Sequence, residues 1–281
     1  INKEKGITSF GVVAKLRKIF NTKKVGHCGT LDPNATGVLP VMIGQATKIS
    51  KYLVEHDKEY VANVKLGVKT DSADSEGNII ETDNFILNVN DEKEYINKIN
   101  GLVGKQKQIP PMYSAIKVDG KKLYEYARKG IEIERDARDI EIYDIKVEKI
   151  DYELNEIKFR VKCSKGTYIR TLCETIAEQL GTIGYMESLM RTKVDDFNIE
   201  DSVILSDLEK LENKESAVIS IEQLFKDKET IILNDRKTDL FLNGVKLTQK
   251  KQDGLYRIYQ QDRFLGIGII SENLLKRDII L

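Results

Sequence analysis

Apolar and polar positions alternate with period two over residues 59–66, which places Tyr60, Ala62, Val64 and Leu66 on one face. The same alternation returns over residues 157–163, with Ile157, Phe159, Val161 and Cys163 inward and Lys158, Arg160 and Lys162 outward. Both patterns predict strands. Elsewhere the period is that of a helix. Val12, Val13, Leu16 and Ile19 make one stripe, with Ser9 as the expected N-cap and Lys15 and Lys18 facing out. Ile169, Leu172, Cys173, Ile176 and Leu180 make another, closed by Gly181. An apolar run over residues 38–43 predicts a buried strand, and residues 46–53 a further helix.

Residues 200–228 read as an acidic, helix-prone connector. After it come short apolar pieces at 231–233, 255–259 and 264–270, the last with Gly266 and Gly268, which predict a small β-barrel. The expected class is therefore α+β, with a large domain over residues 1–228 and a small one over 229–281. The 281 residues suffice for both, and 41% hydrophobic with 32% charged residues is ordinary globular composition. No apolar run approaches the ~20 residues of a membrane helix, so no membrane partner is expected. There is no signal-peptide pattern. The chain begins at Ile1, and a few residues are expected to precede it.

Cys28, Cys163 and Cys173 are an odd set, which implies reduced thiols and a cytoplasmic protein. With no CxxC pair and only His27 and His56, no metal site is expected. Neither a phosphate-binding GxxxxGK[ST] loop nor a GxGxxG fingerprint occurs, so no cofactor is expected.

Net charge is zero, but the charges are segregated. Lys15, Arg17, Lys18, Lys23 and Lys24 form one basic block. Lys105, Lys107, Lys117, Lys121, Lys122, Arg128 and Lys129 form a second, and Lys158, Arg160, Lys162, Lys165 and Arg170 a third. Acids collect at 71–94 and 200–229. Such segregation fits one face for phosphates and another for solvent, although each block alone also reads as a solvated surface.

The stretch that concentrates candidate chemistry is residues 26–40, GHCGTLDPNATGVLP. Gly26, Gly29 and Gly37 allow sharp turns, and Pro33 drives Asp32 towards extended backbone. A carboxylate is thus expected on a stiff loop, though Asp-Pro-Asn is equally an ordinary turn. Arg170 falls in the first turn of its helix, where a cation opposes the helix dipole and calls for a carboxylate partner. The acidic run 70–77 lacks EF-hand spacing and reads as a solvated turn. Over residues 108–130 tyrosines alternate with cations, which suits either RNA contact or a proline-stiffened surface loop. Tyr60 reads by pattern as a core aromatic.

Gly29-Thr30-Leu31-Asp32-Pro33 followed by Ala35-Thr36-Gly37-Val38-Leu39-Pro40 resembles the nucleophile motif of the bacterial tRNA pseudouridine-55 synthases, the TruB family. Other segments are similar to the same family. They are Lys3-Glu4-Lys5-Gly6-Ile7-Thr8-Ser9 (with Glu4 where proline is usual), the acidic 70–77 run, and 108–130. So are Cys163-Ser164-Lys165-Gly166-Thr167-Tyr168-Ile169-Arg170-Thr171-Leu172 and Ser188-Leu189-Met190-Arg191 with Phe197. The last segment has Asp196 where glycine is common, so that turn is expected to differ.

The resemblance implies a pseudouridine synthase fold with a mixed, mainly antiparallel sheet flanked by helices. It also implies an RNA-gripping insertion at about 105–130 and a C-terminal PUA-like domain. In activity it implies isomerisation of uridine 55 in the tRNA T loop, with Asp32 as nucleophile and Arg170 as its partner. Tyr60 would stack on a flipped-out uracil, Leu189 would wall the base pocket and His27 would fill space left in the RNA. Lys165, Tyr168, Lys117 and Arg128 would contact the T-arm. A monomer without cofactor is expected. Three other readings remain. A guide-RNA-dependent synthase would need help to act on bare tRNA. A tRNA-binding chaperone would leave Asp32, Tyr60 and Arg170 unexplained, and a zinc deaminase lacks its Cys/His cluster.

Overall fold

The computed structural model describes residues 1–53 and 56–281. The chain divides into two compact units. One comprises Ile1–Lys15, His27–Val41 and Leu53–Leu205, the other Leu16–Gly26, Met42–Tyr52 and Ser206–Leu281.

The first unit is built on a mixed sheet. Strands Asn2–Lys3, Thr36–Val38, Gly184–Val194, Lys58–Leu66, Glu156–Cys163, Arg138–Asp151 and Gly104–Gln108 lie side by side in that order. Phe197–Asn198 adds to Gly184–Val194 as a hairpin. Thr36–Val38 runs parallel to Gly184–Val194, while the other neighbours are antiparallel. The alternating segments occupy the middle because each has one fully apolar face. Ile157, Phe159, Val161 and Cys163 have no exposed surface, and Tyr60, Ala62, Val64 and Leu66 are buried beside them. The helix Ile169–Leu180 buries all five residues of its expected stripe and ends at Gly181, which is left-handed at φ +83°.

Several expectations are corrected. Thr8, not Ser9, caps the helix Ser9–Ile19: its hydroxyl accepts the Gly11 N–H at 2.9 Å, and its carbonyl accepts that of Val12. Ser9 is engaged elsewhere, as described below. The run 38–43 is not one strand. Pro40 separates Thr36–Val38 from Val41–Ile43, since proline has no N–H to give a ladder. Residues 46–53 form a 3-10 turn, Gly44–Ile49, before a single helical turn, Ser50–Leu53. The third basic block is no bare cationic face. Arg160 bonds Glu59 at 2.7 Å and Glu148 at 2.8 Å, Lys158 pairs with Glu148, and Arg170 is buried. Of residues 105–130, the first four belong to the sheet-edge strand Gly104–Gln108. The rest includes a hairpin, Lys117–Val118 with Lys121–Lys122, and the short helix Leu123–Ala127.

In the second unit the strands Thr230–Leu233, Gly254–Gln260, Arg263–Ser271, Leu274–Ile280 and Leu247–Thr248 form a curled half-barrel in that order, with the helix Asp235–Leu242 after the first. Phe241, Ile258, Leu265, Ile270 and Leu275 make its core. Curling brings the backbones of Arg263–Ser271 and Leu274–Ile280 so close that a Cβ on Gly266 would sit 1.9 Å from the Ile279 carbonyl oxygen. That position requires glycine.

Candidate active site

Asp32 lies on a loop whose backbone is fastened at four points by three side chains. The Ser9 hydroxyl, itself 2% exposed, both donates to the Leu31 carbonyl and accepts the Leu31 N–H, each at 2.9 Å. The Lys3 ammonium is fully buried and gives its three N–H groups to the carbonyls of Pro33 (3.1 Å), Ile7 (2.8 Å) and Glu4 (3.0 Å). Arg191, 1% exposed, donates from Nε to the Val38 carbonyl at 2.8 Å and from Nη2 to the Gly29 carbonyl at 2.9 Å. Residues 29, 31, 33 and 38 are thereby held on both sides of Asp32. Gly37 makes the return possible. Its φ is +101°, and a Cβ there would fall 2.2 Å from the Arg191 carbonyl oxygen.

Arg170 is placed from the other direction. Gln108 donates to the Tyr168 carbonyl at 3.0 Å and accepts the Tyr168 N–H at 2.8 Å, fixing the residue that precedes the helix Ile169–Leu180. From the first turn of that helix Arg170 sends Nη2 to 3.3 Å from Asp32 Oδ2 and Nη1 to 3.6 Å from Asp74 Oδ2. Nη2 also donates to the Tyr113 carbonyl at 2.6 Å, and Nη1 to that of Ser72 at 3.4 Å. The expected carboxylate partner is present, and there are two of them. Asp74 lies in the run read as a solvated turn, which is corrected. The residue is 8% exposed, and its Oδ1 accepts from the Ser72 hydroxyl (2.6 Å) and the Glu76 N–H (3.1 Å).

Tyr60 stands directly across from Arg191 in the pairing of Lys58–Leu66 with Gly184–Val194, and Ala62 across from Leu189. Burial raises the pKa of Tyr60, and the charge of Arg191 opposes that rise. His27 has a buried Nδ1 without a hydrogen-bond partner among the described residues. Its pKa is lowered, first by burial and then by the charge of Arg191, so the ring is neutral at pH 7. Tyr168 is anchored through its backbone by Gln108, and Lys165 is exposed on the turn before it. Lys117 and Arg128 are exposed on the hairpin and at the end of the short helix. There Arg128 and Lys122 flank the Tyr124 ring at 5.3 and 5.4 Å. Hence Asp32, Arg170, Tyr60 and Leu189 share one region of the sheet and its loops.

The arrangement can do specific chemistry. A carboxylate whose side chain is 40% exposed is backed by a guanidinium that is 6% exposed. The anion is reachable by a substrate while its counter-ion is not. Three buried thiols, Cys28, Cys163 and Cys173, have pKa values raised chiefly by burial, that of Cys163 to about 12, and supply no competing nucleophile at neutral pH.

The mixed sheet flanked by helices and the curled half-barrel are the fold of the pseudouridine synthase class. Comparison with known proteins agrees. Residues 17–169 match the TruB family pseudouridylate synthase (N terminal domain) model. Residues 170–232 match the tRNA pseudouridylate synthase B C-terminal domain and 230–276 the Pseudouridine synthase II TruB, C-terminal, model. The tRNA pseudouridine synthase B of Clostridium tetani is 44% identical over 95% of this chain and 93% of its own length. That of Francisella philomiragia is 42% identical over 100% and 95%. Among solved structures, a Cbf5-Nop10-Gar1 complex aligns over 100% of this chain and 82% of the other, with TM-score 0.69 at 26% identity. This chain belongs to the TruB family of pseudouridine synthases.

Proposed function

We propose that this chain converts uridine 55 in the T loop of tRNA to pseudouridine, with Asp32 as the nucleophile. The observation that carries the assignment of Asp32 is its 3.3 Å pairing with buried Arg170. In the reaction the N1–C1′ bond breaks, the uracil turns and C5 bonds to C1′. C5 then loses its proton and N1 gains one, so mass is unchanged. An ionised carboxylate divides this into two easier steps by adding to the nucleoside, at the uracil ring or at C1′, and leaving again. Arg170 orients the carboxylate and supplies its counter-charge when the base excludes water.

A uridine inside a folded loop has to be flipped out, at a cost of a few kcal/mol. Tyr60 and Leu189 are assigned to the extruded uracil, and neutral His27 to the space it leaves. Lys165, Tyr168, Lys117 and Arg128 are assigned to the T-arm, supported by the exposure of the three cations. Residues 1–228 are assigned to catalysis and 229–281 to RNA binding. We assign a monomer, and we place its action in the cytoplasm because Cys28, Cys163 and Cys173 form no disulfide. Among the described residues no helix is long and apolar enough to cross a membrane.

The test is an unmodified tRNA transcript with no other protein or RNA added. The wild-type chain is expected to form pseudouridine, read by base-specific labelling. Asp32→Asn is expected to bind the transcript in a filter assay and form none. Product from Asp32→Asn removes Asp32 from the chemistry, and no product from the wild type removes the function.

A further inference from the structure

Arg191 is the largest fully buried side chain among the described residues, and it carries a charge. Its hydrogen bonds go to backbone carbonyls, with no carboxylate paired to it among the described residues. A buried cation so arranged is costly, and an apolar side chain of similar volume serves stability as well or better. Its geometry supplies a different reason. A guanidinium is a planar fork with five donors in fixed directions. Nε takes the Val38 carbonyl at one end of the Asp32 loop, and Nη2 takes that of Gly29 at the other. Tyr60 stands opposite Arg191 across the strand pair, within the field of the same group. No other described side chain joins both loop ends and also stands opposite the tyrosine.

We propose that Arg191 is a positioning residue for the isomerisation. Its fork sets the distance between the Asp32 carboxylate and the Tyr60 ring on which the uracil is to lie. The inference rests on the roles given above to Asp32 and Tyr60. It assigns Arg191 no contact with the nucleotide; it acts through the loop and through the tyrosine. A misplacement of about 1 Å costs about 10²-fold in rate while leaving remote binding contacts intact.

The experiment measures kcat, KM and transcript affinity for the wild type, Arg191→Met, Arg191→Lys, Tyr60→Phe and Arg191→Met/Tyr60→Phe, with Asp32→Asn alongside. For Arg191→Met the expected result is a kcat loss of about 10²-fold, with transcript affinity within about threefold of wild type. Arg191→Lys is expected to recover less than about tenfold of that loss, because a point charge cannot bridge two carbonyls. Tyr60→Phe is expected to lower kcat alone. The double variant should lose less than the product of the single losses, since both remove one unit.

A kcat for Arg191→Met within about threefold of wild type overturns the proposal, as do strictly multiplicative losses. If Arg191→Met does not fold, Arg191→Lys and Tyr60→Phe decide alone, and full kcat in either overturns it. An inactive wild type sinks the proposed function instead, so the two failures are distinguishable.

Discussion

Asp74 is joined to Asp32 by a single guanidinium: Arg170 Nη1 lies 3.6 Å from Asp74 Oδ2, and its Nη2 lies 3.3 Å from Asp32 Oδ2. The two carboxylates differ in access. The Asp74 side chain is 12% exposed and that of Asp32 40%. The buried one, with the carbonyls of Tyr113 and Ser72, fixes the plane of the fork so that the other arm has one direction left.

Asp74→Asn is therefore expected to reduce single-turnover rate by about 10–10²-fold by letting Arg170 rotate away from Asp32. Filter binding of the transcript should be unchanged. A full rate in Asp74→Asn would mean that the two carbonyls suffice to hold the fork.

Arg170→Lys keeps the charge but loses the simultaneous hold on two carboxylates and two carbonyls. It is expected to be as slow as Arg170→Ala within about tenfold. Arg170→Ala also strands Asp74, so its urea midpoint should fall by the equivalent of about 2 kcal/mol.

Ser9→Ala removes the one side chain that satisfies both backbone groups of Leu31, a residue 4% exposed. The expected cost is about 1–3 kcal/mol by denaturant titration. Rate should fall too, because the freed backbone is adjacent to Asp32. The variant would retain its helix, whose cap is Thr8.

Lys3 supplies a pH dependence. Burial lowers its pKa to about 8, opposed by the charge of Asp32 and assisted by that of Arg191, with Glu76 a smaller opposing charge. Above that pH the neutral amine has two N–H groups for three carbonyls. Activity is expected to decline as pH rises through about 8. Stability moves the other way. From about 8 to the ordinary lysine value near ~10.4 the unfolded chain binds the extra proton, so this group favours folding increasingly with pH. Rate and melting temperature measured from pH 7 to 10 should diverge, and a parallel fall would assign the rate loss to unfolding.

The sheet and the helix Ile169–Leu180 were legible in the sequence because their signals are local: a period of two or of 3.6, and a glycine stop. The need of Arg170 for a carboxylate partner was legible from its place against a helix dipole, whereas Asp32 read locally as an ordinary turn and stood out only through the resemblance of its motif to the TruB family. Ser9, Lys3, Gln108, Asp74 and Arg191 were not. Ser9 resembled an N-cap, and Asp74 a solvated turn. Lys3, Gln108 and Arg191 carried no periodicity that distinguishes a surface polar residue from one that captures backbone carbonyls 30, 60 or 162 positions away. Such partners exist only once the chain has folded.

The fastening of the Asp32 loop has a consequence for how the molecule comes into being. Glycine 29 waits for an arginine 162 residues further on. Contacts of that span form late, after the closure entropy of the intervening chain has been overcome. A nascent polypeptide halted before residue 191 would carry the aspartate, Ser9, Lys3 and Arg170, and lack the one side chain that ties both ends of the loop. Competence to act on RNA would then arrive only once residue 191 has been added, so that shorter chains hold no nucleoside productively.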